Sequence, residues 1–90
     1  MKLSYDPDKR EKTLAERGLD FARATEIFAS HHFTAEDIRM AYGERRFVTI
    51  GRMQHRMVVV VWTQRGEERR IISMRKANER EQERFARHLG

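Results

Sequence analysis

Met57-Val58-Val59-Val60-Val61-Trp62 is an unbroken apolar run in which four residues in succession are β-branched. A run of this kind reads as a central strand covered on both faces, because a half-exposed strand would alternate apolar with polar residues. Upstream, Arg45 to Met53 reads as a strand with Val48 and Ile50 on one side and Phe47 and Thr49 on the other. Gln54-His55 supplies the turn between them, without the strong Asn-Gly signal. Downstream, Arg65-Gly66 supplies a second turn, the glycine accepting positive φ. The third strand, Arg69 to Arg75, alternates: Arg70, Ile72 and Met74 share one face, and Arg69, Ile71, Ser73 and Arg75 the other. These strands form an antiparallel meander.

The flanks read as helices. Leu3 to Tyr5 is a short β-prone opening segment. Asp6-Pro7 follows as an N-cap with proline at the first helical position, where its missing N–H costs nothing. That helix runs through Lys9, Leu14 and Ala15 and ends at Gly18, a residue suited to the left-handed C-terminal position. Asp20 caps a second short helix, whose Phe21, Ala24, Ile27 and Phe28 fall on one face. Residues 30–44 show no clear period and read as a loop, with room for a short strand near His32-Phe33. Asn78 with Glu81 resembles a capping box opening a last helix through His88. Phe85, Ala86 and Leu89 are its only apolar anchors, so it packs weakly or docks on a partner. The expected fold is α+β: two N-terminal helices, an antiparallel sheet of three to four strands, and a C-terminal helix.

Ninety residues suit one domain, residues 1–90, and a chain this short buries only roughly 60–65% of its unfolded surface. No apolar stretch is long enough to cross a bilayer or serve as a signal-peptide core. The absence of cysteine excludes disulfides, thiolate metal sites and thiol nucleophiles. The expectation is a soluble cytoplasmic domain that does not touch membranes. Charge is distributed unevenly. Residues 1–44 carry 7 Lys/Arg against 9 Asp/Glu, whereas residues 45–90 carry 12 against 5. Arginine outnumbers lysine 15 to 4, and its planar fork suits bidentate phosphate contacts. The basic half reads either as a polyanion-facing surface or as a solvated one.

Several chemistries lack their residues. No His-x-x-x-His pair or Asp-rich loop is present, so neither a metal nor a cofactor is expected. The glycines form no phosphate-cradling loop, and no serine triad is marked. What remains is the arginine set on the strands: Arg45, Arg46, Arg52, Arg56, Arg65, Arg69, Arg70 and Arg75, with Lys76. A sheet covered by helices on one face leaves the other free to present these to a nucleic-acid backbone. Tyr42, Phe33 and Trp62 are candidate base-stacking surfaces, with core packing the stronger reading for Trp62. Metal-free RNA cleavage needs an acceptor for the 2′-hydroxyl proton, charge stabilisation on the phosphoryl oxygens and a donor to the leaving 5′-oxygen. Arg75 and Arg70 are the natural charge stabilisers. Glu44, Glu79 and His55 are candidates for proton transfer, although His55 also reads as an exposed turn residue and Glu79 as a helix-dipole acid.

The chain resembles BrnT-type toxins, ribonuclease components of bacterial type II toxin–antitoxin pairs with a RelE-like fold. Tyr5-Asp6, then Lys9, then Gly18-Leu19-Asp20-Phe21 resembles the family's opening. Gly43-Glu44-Arg45-Arg46-Phe47 leading to Ile50-Gly51 resembles its middle. The most specific stretch is Arg70-Ile71-Ile72-Ser73-Met74-Arg75-Lys76-Ala77 followed by Glu81. Arg17 stands where the family usually has histidine, and Met74 where alanine is common. The resemblance implies an endoribonuclease that arrests translation by cutting RNA. It implies Arg46, Arg70 and Arg75 as catalytic residues, with Arg65 and Lys76 in support, and Arg45 of the strand set is expected to bind RNA beside those two. It also implies a BrnA-type ribbon-helix-helix antitoxin, operator DNA being reached only through that partner. Two other classes fit the residues alone: a non-catalytic RNA-binding module using the same arginines as phosphate clamps, and a basic module that meets an acidic protein partner.

Overall fold

The polar group budget of the first helix explains how the sheet is closed along one edge. The computed structural model describes residues 1–89. In chain order it contains β1 (Lys2–Ser4), α1 (Pro7–Arg17), a single 3-10 turn (Phe21–Arg23), α2 (Ala24–Ala29) and β2 (His32–Asp37). There follow β3 (Arg46–Met53), β4 (Arg56–Arg65), β5 (Glu68–Lys76) and α3 (Glu79–Leu89). The five strands form one mixed sheet in the order β1-β5-β4-β3-β2. Asp6 caps α1 by accepting from the Asp8 N–H at 2.9 Å, and Gly18 ends it at φ 67°. No α1 residue is buried; the helix is tied to the outer edge of β5 by polar contacts. Lys9 Nζ donates to the Ile72 carbonyl at 3.3 Å and Arg17 to the Met74 carbonyl at 2.7 Å. These side chains occupy carbonyls along the part of β5 that the short β1 does not reach, which protects an otherwise open edge.

The central run behaves as a doubly covered strand. Val58, Val60 and Trp62 of β4 face the 3-10 turn and α2, where Phe21, Ala24 and Ile27 meet them with Met53, Ile71 and Met74. Met57 and Val59 face the other way, packing with Ile50, Ala77 and Leu89 beneath α3. Trp62 is buried, stacks on Phe47 at 4.8 Å and donates its indole N–H to Thr49 Oγ1 at 2.8 Å. Gly51 of β3 is buried under α2: a Cβ there would stand 2.7 Å from Ile27 Cγ2, so only glycine permits this approach. The β3–β4 turn uses Gln54 at φ 51° and His55 at φ 68°, the paired left-handed geometry of a two-residue hairpin.

Four expectations need correction. The sheet has five strands rather than three or four and is mixed rather than wholly antiparallel, because β1 pairs in parallel with residues 68–70 of β5. The stretch read as a loop contains the six-residue β2, antiparallel to β3. As an edge strand with its first five residues exposed, β2 carries no apolar period to reveal it. The alternation on β5 is interrupted: Val61 faces Ser73 but Trp62 faces Ile71, so Ile72 is the extra residue of a bulge. Ile71 and Met74 therefore share the core face. Finally, the second face is not wholly free. α3 covers one end of it, with Leu89 7% exposed and Phe85 half-buried. The Asn78–Glu81 capping box is present in both directions, each bond 2.9 Å long.

Candidate functional site

Beyond the reach of α3, the second face of the sheet ends in cations. Arg46 of β3 and Arg70 of β5 both sit opposite Thr63 or its neighbours on β4, and Arg65 closes that strand. A hollow of about 220 Å³ lies here, lined chiefly by Lys9, Glu44, Arg46, Arg65 and Arg70, with Asp6 at its rim. The Glu44 carboxylate sits among these cations, receiving Arg46 Nε at 3.2 Å and approached by the Arg65 guanidinium Nη2 at 3.8 Å. Asp6 is already committed to the cap of α1. Cations thus outnumber acids in a concave site, which is the arrangement that attracts a phosphodiester.

Neighbouring groups hold Arg46 in place. Its guanidinium lies 4.1 Å from the centre of the Tyr42 ring. The Tyr42 hydroxyl donates to Asp37 Oδ2 at 3.1 Å, and Arg39 grips the same carboxylate with two bonds of 2.9 Å. The Asp37 side chain is only 2% exposed. Hydrogen bonding to Arg39 holds its carboxyl well below the usual range, with the Tyr42 hydroxyl adding to the effect. The Asp37 carboxylate at the end of β2 thus ties Arg39 and Tyr42 together, and the same Tyr42 ring lies against Arg46.

Arg75 lies on the same face but not in the hollow. It sits opposite Val59, four positions along β4 from Thr63, or roughly 13 Å at strand spacing. Glu81 at the start of α3 holds it with bonds of 2.8 and 2.9 Å. That pairing lowers Glu81 from its ordinary 4.5 to about 2 and raises Arg75, while the charge of Arg39 opposes the rise. Arg45, adjacent to Arg46, points to the opposite face, over the Phe47 ring and against Glu36. Lys76 alternates away from Arg75 and is exposed.

The structure thus gathers Arg46, Arg65 and Arg70, separates Arg75 along the face, and turns Arg45 and Lys76 to the other side. It also adds Lys9, which belongs to a helix and was visible only as part of the opening motif. Among the proton-transfer candidates Glu44 is in the hollow. His55 sits in the exposed hairpin turn and Glu79 begins α3. Among the described residues, no three His, Asp or Glu side chains are grouped to hold a metal ion.

The family model described as "Ribonuclease toxin, BrnT, of type II toxin-antitoxin system" matches residues 5–81. The chain belongs to the BrnT family. No curated protein matches it. A BrnT toxin has RNA as its substrate and an antitoxin as its partner. The matched span holds every lining residue of that hollow and ends at Glu81, the partner of Arg75. At the two departures from the family pattern, the Arg17 side chain bonds the Met74 carbonyl and the Met74 side chain fills the core. Among the described residues no helix is long and apolar enough to cross a membrane.

Proposed function

We propose that this BrnT toxin is an endoribonuclease that cuts RNA without a metal ion, and that the hollow around Glu44 holds the scissile phosphodiester. The observation carrying this reading is the grouping of Lys9, Arg46, Arg65 and Arg70 around one hollow whose carboxylate, Glu44, is met by Arg46 and Arg65. The 2′-oxygen attacks the adjacent phosphorus and the P–O5′ bond breaks, leaving a 2′,3′-cyclic phosphate and a 5′-hydroxyl. Glu44 takes the 2′-hydroxyl proton, and Lys9 supplies one to the departing 5′-oxygen. Arg46 and Arg70 stabilise the charge that builds on the non-bridging oxygens, with Arg65 assisting. Arg75 meets the RNA further along the face, Arg45 meets it at the sheet end beside the hollow, and Lys76 meets it past Arg75 at the far end of β5. The proposed partner is a BrnA-type ribbon-helix-helix antitoxin that brings the complex to operator DNA. A toxin that cuts RNA and arrests translation acts in the cytoplasm in this reading, with residues 1–90 as one RelE-like unit.

Induced expression without antitoxin tests the reading. Wild type should arrest growth with fragmented RNA, whereas folded Arg46→Ala and Arg70→Ala should leave both normal. Normal growth and intact RNA from well-folded wild type would overturn it.

A further inference from the structure

Arg45, like Arg46, is paired with an acid and lies over a ring, but it points to the opposite face and is far more exposed. Its guanidinium is bound edge-on by Glu36 through two bonds of 3.1 Å, so much of its charge is already matched. One flat side lies over the Phe47 ring, 5.3 Å from its centre, and Phe47 in turn stacks on buried Trp62 at 4.8 Å. The Thr63 hydroxyl fixes the backbone beneath by donating to the Arg45 carbonyl at 2.7 Å. The side chain is otherwise open to water, 74% of it exposed. Arg45 is a poor net cation and a well-held planar surface.

That surface borders a second groove, of about 400 Å³, walled by Glu44, Arg45, Phe47, Thr63, Gln64 and Gly66. Glu44 belongs to both this groove and the cationic hollow. The two therefore meet at the end of the sheet, one offering cations and the other a planar platform with hydroxyl, amide and carboxylate groups around it. We infer that the groove is a subsite for a nucleobase next to the scissile phosphate, with the base stacked on Arg45. Guanidinium planes serve as stacking surfaces for unpaired bases, and the polar walls can read a base edge. RNA bound this way straddles the sheet end, its phosphate beside Arg46 and its base beside Arg45, because consecutive strand residues point to opposite faces. The inference rests on the ribonuclease reading and adds where sequence preference arises.

The test is fluorescence anisotropy with a short single-stranded RNA carrying 2′-O-methyl groups, which cannot be cut, titrated over a range of salt. Arg45→Ala and Arg45→Lys should each weaken binding about tenfold, the loss of one base stack. Both should keep the wild-type salt slope, since lysine restores the charge but not the plane. Arg65→Ala should instead reduce the slope by about 0.7, the signature of one lost phosphate contact. Wild-type affinity in Arg45→Lys, or a slope lost in Arg45→Ala as in Arg65→Ala, would make Arg45 a phosphate clamp and overturn the subsite while leaving the ribonuclease reading intact. A wild type that neither binds this RNA nor cuts an unmodified one would overturn both.

Discussion

On one face of the sheet Phe21, Ala24 and Ile27 meet Val58, Val60, Ile71 and Met74, every one of them at most 1% exposed. On the other, α3 lays Phe85 and Leu89 over Ile50, Met57 and Val59 and leaves the far end to arginines. Both faces belong to the same strands. The first is sealed across its centre, with Arg45 and Lys76 exposed only at its margins, whereas the second is covered at one end alone. A chain of this size has little apolar area to spare. Concentrating it on one side lets the other keep cations in water, where they can meet a polyanion. Stability and chemistry should therefore be separable by mutation.

The largest expected effect is on the sealed face. Phe21→Ala should cost about 3–5 kcal/mol, and each kcal/mol should lower Tm by about 4–8 °C. Phe85→Ala, half-buried beneath the open face, should cost less than half as much; equal losses by thermal denaturation would break the comparison. Next is Arg70→Ala, expected to slow RNA cleavage about 10²–10³-fold while changing stability by no more than about 0.5 kcal/mol. Matched losses of rate and Tm would mean that the arginine supports the fold instead. Gly51→Ala sets a Cβ 2.7 Å from Ile27 Cγ2 and 3.3 Å from His32 Cβ. It should cost about 1–3 kcal/mol, and Ile27→Leu on top of it, which removes the Cγ2 branch at similar volume, should recover part of that loss.

The smallest effect concerns acid. Glu81 is lowered from 4.5 to about 2 by Arg75, so its contribution is complete above the ordinary value and disappears as pH falls through about 2. Because Arg75 is half-exposed, the pair is worth no more than about 1 kcal/mol. Glu81→Gln should flatten the fall of Tm between these pH values. An unchanged profile would show that the pair does not anchor α3.

The parts of the fold that sequence reveals are those with local causes. Asp6-Pro7 and Gly18 bound α1, Asn78 and Glu81 open α3, and the valine run marks β4. Beyond the short strand expected near His32-Phe33, β2 escapes because an exposed edge strand needs no apolar period, and its partner is β3 rather than anything within it. The Ile72 bulge escapes because it exists only in the pairing with β4. The site divides in the same way. Composition nominates the arginines, but strand alternation sends Arg45 and Arg46 to opposite faces. Tyr42 gains its role only when Asp37 and Arg46 come together across the sheet end.

The most direct test is cleavage of a single-stranded RNA by purified wild type and Arg70→Ala in the presence of a metal chelator, with the product ends mapped. The account predicts that wild type cuts at undiminished rate and leaves 2′,3′-cyclic phosphate and 5′-hydroxyl ends, while folded Arg70→Ala is at least about 100-fold slower. Cleavage abolished by the chelator and restored by a divalent cation, or undiminished in Arg70→Ala, would contradict it.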